Sequence, residues 1–138
     1  KNFLNSINIA KWNIYSASLI DCTFFCFSFL YKHRNFKKTE EANRVFFEIL
    51  NTEKVNGMDL DAFENATKEF DKRYQQINWE NHFNSNPFEF SSNELYVWSP
   101  IADELKKLDK KIVINSMVLK WNNVQNDFKK LTSKFNLE

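Results

Sequence analysis

A chain of 138 residues, 43% apolar and with a net charge of +1, can bury one core; it is too apolar for disorder and too balanced in charge for a general nucleic-acid binder. One glycine, Gly57, and two prolines, Pro87 and Pro100, exclude a glycine-rich phosphate loop and argue against a sheet-rich fold, which needs turn residues every few positions. The expectation is a single all-α domain over 1–138.

The first organised segment is 9–31. From Ala17 it reads ASLIDCTFFCFSFLY, apolar on every side, with Asp21 its only charge. Trp12 and Tyr31 near its ends, and the basic flank Lys32, Arg34, Lys37 and Lys38, suit residues 12–31 to a bilayer crossing with the bulk of the chain on the cytoplasmic side. Asn13, Ser16, Ser18, Asp21, Thr23 and Ser28 dilute it, and an aspartate at mid-membrane costs about 2.5–3.5 kcal/mol. A core helix is the favoured reading and a membrane anchor the alternative. Cys22 and Cys26, four apart on one helix, bridge poorly. They read as free thiols, which points to the cytoplasm or the cytoplasmic face of a membrane. His33 and His82 do not stand at zinc-ligand spacing from them, so neither a metal nor a cofactor is expected.

A second helix is expected over 39–52, capped by Thr39, with Glu40 and Glu41 in its first turn and Ala42, Val45, Phe46, Ile49 and Leu50 on its buried face. Lys54 to Met58, around Gly57, makes the turn. The third, 59–77, carries Leu60, Phe63, Thr67, Phe70, Tyr74 and Ile77 at alternating spacings of three and four. Residues 78–98 break this rhythm. That stretch is rich in aromatics, and its PFEF and LYVW runs alternate as a short hairpin would. It reads as a strap over the bundle, or as a surface offering Trp79, Phe83, Tyr96 and Trp98 to a partner.

The last segment, 100–135, reads as one long helix opened by Ser99-Pro100. Straight, it would span roughly 54 Å, beyond its own domain, unless it bends. Its apolar stripe changes side: Ile101, Leu105, Leu108, Ile112 and Leu119 lie on one face, and Met117, Trp121, Val124, Phe128, Leu131 and Phe135 on another. The second stripe needs a second neighbour, inside the chain or outside it. The architecture expected is thus an irregular four-helix bundle with a long C-terminal helix and an aromatic connecting segment.

Charge is unevenly spread: six bases against Asp21 in 1–38, twelve acids against five bases in 39–99, eight bases against five acids in 100–138. Internal attraction between these regions is the simplest account. Nucleic acid is an unfavoured partner, because the lysines of the last helix (Lys106, Lys107, Lys110, Lys111, Lys120, Lys129, Lys130) have no arginine among them. No HExxH, GxSxG, CxxC or P-loop occurs, and the nearest approach to acid–base chemistry is Glu80 beside His82. The functional expectation is a non-catalytic helical interaction or assembly module, binding a protein partner or a second copy through Met117, Trp121, Val124, Phe128, Leu131 and Phe135. The alternatives are membrane attachment through 12–31 and an apolar-ligand-binding helical domain.

Overall fold

The structure, a computed structural model, describes residues 2–98 and 121–133. The fold is all-α, and no strand occurs among the described residues. Four helices are bounded: α1 (Asn2–His33), α2 (Glu40–Val55), α3 (Leu60–Gln76) and α4 (Glu89–Trp98). A short 3-10 turn, His82–Asn84, lies between α3 and α4, and residues 121–132 are also helical. The expected helix over 100–135 falls outside the described residues except for that last part.

At about 1.5 Å per residue α1 is about 48 Å long, and α2, α3, α4 and the 3-10 turn all pack on it. Its residues 7–33 are long and apolar enough to cross a membrane, yet half of the most apolar stretch is buried against the rest of the chain. The buried side runs through Trp12, Ile20, Phe24, Phe25 and Phe29. α1 is therefore the common surface on which the other elements assemble.

The α2–α3 pair closes with complementary end chemistry. Gly57, at φ +104°, takes a conformation that a side chain would strain; its N–H donates to the Lys54 carbonyl, and the Met58 N–H donates to that of Glu53. Met58 then turns into the core. Asp59 caps α3, its carboxylate accepting from the Ala62 N–H at 3.0 Å. Thr39, expected to cap α2, instead has helical φ and ψ and no side-chain capping bond. The Thr39 carbonyl accepts from the Ala42 N–H and from the Tyr74 hydroxyl, so the backbone serves the role expected of the side chain.

Both helices bury a narrower face than their periodicity predicts. On α2, Ala42, Phe46 and Leu50 are sealed, while Val45 and Ile49 are only partly covered. On α3 the sealed line is Ala62, Ala66 and Phe70, with Phe63, Thr67, Tyr74 and Ile77 along its flank and Leu60 exposed. Alanine at the line of contact lets the helices approach closely, and the large side chains close the sides. The centre is aromatic: the Phe70 ring lies parallel to Phe46 at 4.0 Å and stacks on Phe24 at 4.8 Å.

The hairpin expected from PFEF and LYVW does not form; Pro87 and Phe88 lie in a turn, and the rest belongs to α4. Each alternating run is only four residues long, and periodicity that short does not separate strand from helix. Ser91, Ser92 and Tyr96 form the buried side of α4, with Phe88 buried just before it, and the two serines bring α4 close to α1.

Candidate functional site

Asp21 is the one charge within the apolar run, and the structure builds a site around it. Its side chain is wholly buried. One carboxylate oxygen accepts from the Arg73 guanidinium at 2.7 Å, and the other accepts from the Ser91 N–H at 2.7 Å. Ser91 lies in the first turn of α4, where helix N–H groups otherwise go unpaired, so Asp21 caps α4 from another helix. The Arg73 guanidinium carbon stands over the rings of Phe24 (5.0 Å) and Phe90 (5.4 Å) as the side chain reaches Asp21. Three helices thus meet at one ion pair. Burial raises the Asp21 pKa, and this outweighs the lowering by Arg73 and by the hydrogen bonds from Ser91.

A second buried polar group holds the connecting strap. Ser28 Oγ donates to the Trp79 carbonyl at 2.9 Å and accepts from the Phe83 N–H at 2.8 Å. Trp79 packs against Phe24 and Tyr74, Phe83 packs against Phe29 and His33, and Tyr96 is buried. Trp98 donates its indole N–H to Glu94. Trp79, Phe83 and Tyr96 thus pack onto the fold in the manner of a strap.

Glu80 and His82 do not form an acid–base pair. Glu80 is bound to Lys32 at 2.7 Å, which lowers its pKa. His82 Nε2 is buried with no hydrogen-bond partner beside the Phe24 ring, and burial, then the Arg73 charge, brings its pKa down to about 4. The imidazole is therefore neutral at physiological pH. Among the described residues no group of His, Cys, Asp and Glu is arranged to hold a metal.

The cysteines are unbridged. Burial, then the Asp21 charge, pushes the Cys22 thiol up to about 11, and burial, then Cys22, pushes Cys26 up to about 12. Thiolate is the reactive form, so both should alkylate at least about a hundredfold more slowly than free cysteine near neutral pH, and quickly in urea. A mass-shift time course with iodoacetamide checks this, and rapid labelling of the native chain would contradict it.

The stripe on the last helix divides. Trp121 stacks on Phe88 at 4.3 Å, nearly parallel, and Phe128 meets Phe25 and Phe29 at 5.6 and 5.7 Å. Val124 and Leu131 face outward, 42% and 54% exposed. Met117 and Phe135 lie outside the described residues. Arg34 donates to the Thr132 carbonyl at 2.5 Å, fixing the end of this helix against the end of α1.

Sequence reasoning missed Arg73, Ser91 and Ser28. The signal for Arg73 was faint: it extends the line Ala62, Ala66, Phe70 by three residues and so borders the buried face of α3. Together these contacts define an all-α assembly organised on α1 and pinned by a buried ion pair. No protein-family model, curated protein or solved structure matches the chain.

Proposed function

We propose that this chain is a non-catalytic helical interaction module that self-associates through the outer face of helical residues 121–132. The observation that carries this reading is the exposure of Val124 and Leu131, seven residues apart, along the edge of a helix stripe whose neighbouring members, Trp121 and Phe128, already pack on Phe88, Phe25 and Phe29. Apolar residues at that spacing share one helix face and suit a second helix laid alongside. The polar groups at the centre of the fold also favour architecture over chemistry. Asp21 and Arg73 are committed to each other, and Ser28 is committed to the strap.

The test is sedimentation of the full chain beside a Val124→Gln, Leu131→Gln variant. Wild type should sediment as an oligomer and the variant as a monomer of unchanged helical content. A monomeric wild type at high concentration, or an oligomer that ignores the substitutions, defeats the proposal. Membrane attachment through residues 12–31 is the second reading, favoured by the length and apolarity of α1. Flotation with lipid vesicles in the absence of detergent separates the two. The unbridged cysteines fit a reducing compartment in either case.

A further inference from the structure

The only glycine of the chain follows an asparagine. Asn56-Gly57 is therefore the one place where an asparagine amide neighbours a backbone nitrogen that has no side chain beside it. Asparagine Cγ is an electrophile, and the nitrogen of the next residue is the nucleophile nearest to it. Their reaction closes a five-membered ring, which a side chain on the following residue hinders. Asn86 precedes Pro87, which has no N–H to give up, and Asn65 lies inside α3 ahead of Ala66.

The fold presents this pair to solvent. Asn56 closes α2 at φ −88° and ψ 12°, and both it and Gly57 are exposed. A Cβ placed on Gly57 would meet nothing within 4 Å, so the space around the nucleophile is open. The Gly57 N–H donates to the Lys54 carbonyl at 3.3 Å, longer than the roughly 2.7–3.2 Å usual for such a bond. It lies at a helix end, where fraying releases it. Among the described residues the Asn56 side chain has no hydrogen bond to hold its amide away from that nitrogen.

The same turn seats part of the core. The Met58 N–H donates to the Glu53 carbonyl at 3.0 Å, and Met58 is 3% exposed in the cluster that holds Leu50, Ala62 and Phe70. Asp59 follows directly as the cap of α3. An extra backbone atom between residues 56 and 57 would put both out of place.

We propose that Asn56-Gly57 is a modification site at which the chain deamidates spontaneously to aspartate and isoaspartate, and that the isoaspartyl form loosens the α2–α3 turn. The Gly57 nitrogen gives its proton to solvent and bonds to Asn56 Cγ. The Cγ–Nδ2 bond breaks, and the amide nitrogen leaves as ammonia after taking a proton from solvent. Water then opens the cyclic imide. Attack at Cγ gives aspartate on an unchanged backbone. Attack at the main-chain carbonyl carbon leaves a free carboxylate there and routes the chain through Cβ and Cγ, one atom longer. Both products put a negative charge at the C-terminal end of α2, where the helix dipole disfavours it; only isoaspartate also lengthens the turn. The site lies on other helices than the association surface proposed above and does not depend on it.

The experiment is incubation of the full native chain at mildly alkaline pH, followed by mass spectrometry of its tryptic peptides. Cleavage after Lys54 and Lys68 puts Asn56 and Asn65 in one peptide, so Asn65, also exposed, is the internal control. Acid should accumulate at 56, with isoaspartate the larger share, while 65 stays an amide. Gly57→Ala should abolish the conversion over the same period. The isoaspartyl form, separated by chromatography, should unfold at a lower urea concentration than Asn56→Asp, which carries the new charge on a normal backbone. An amide that persists at 56 as long as at 65 overturns the proposal. So does aspartate without isoaspartate, which would mean direct hydrolysis with no ring. Equal urea midpoints for the isoaspartyl form and Asn56→Asp would overturn the claim that the length of the turn matters.

Discussion

Replacing Arg73 by Met should destabilise the chain by about 3–5 kcal/mol, the cost of leaving one partner of a buried ion pair behind. That is a large share of the roughly 5–15 kcal/mol that holds a typical domain folded. Asp21 is wholly buried, whereas the Arg73 side chain keeps 19% of its exposure. The two deletions are therefore unequal. Without Arg73, the carboxylate keeps the Ser91 N–H but loses the guanidinium that answers its charge, and it limits the penalty by taking up a proton. Asp21→Asn preserves an acceptor for Ser91 and leaves an arginine that can lean toward water, so it should cost less.

The pH dependence follows from the sign of the shift. The folded-state pKa of Asp21 lies above its ordinary value because burial outweighs Arg73 and Ser91. The folded chain therefore binds this proton more tightly than the unfolded chain does. The resulting stability is fully present below the unfolded pKa and is lost as pH rises through the folded pKa. Removing Arg73 takes away a lowering influence and widens that window. Urea unfolding at about pH 5 and about pH 8 should show Arg73→Met losing more stability across the interval than wild type, with Asp21→Asn losing the least. Equal losses in all three proteins would mean that the pair is not what holds α1, α3 and α4 together. Arg73→Lys should behave as a partial loss, since an ammonium lacks the planar guanidinium that stands over Phe24 and Phe90 while bonding Asp21.

The second large effect is expected at Phe70. Its ring is fully buried, lies parallel to Phe46, stacks on Phe24 and meets Phe47 edge-on at 5.5 Å. Truncation to Ala should cost about 3–5 kcal/mol through lost transfer energy and the cavity left behind. Ring–ring contacts add to this, at about 0.5–1.5 kcal/mol per pair. Phe70→Leu keeps much of the volume but no ring, so the difference between the two variants isolates the aromatic part. Phe63→Ala, on the same helix but only partly buried, should cost less than either. Denaturant midpoints would rank them, and a Phe63 effect as large as that of Phe70 would place the centre of the core elsewhere.

Several features are legible in the sequence. The all-α class followed from one glycine, two prolines and the apolar periodicity. The ends of α2 and α3 fall within a few residues of where their patterns place them, and Gly57 sits at the turn between them. Local rules suffice there, because capping groups and helical repeats act within one or two turns. They failed at α4, where runs of four residues carry no period that separates strand from helix. The buried carboxylate supplies the missing information, by accepting an N–H from the first turn of that helix.

From the residues alone, α1 was a long apolar helix with a suspicious aspartate, and the last helix carried a stripe that changed face. What the tertiary structure decided was the identity of the neighbours. Asp21 finds Arg73 across 52 residues and Ser91 across 70, Trp121 finds Phe88, and Phe128 finds Phe25 and Phe29. Helical periodicity is written within a few turns of chain. Which charge is answered, and which apolar face is left for a partner, depends on pairings between distant segments that only packing on α1 brings within reach.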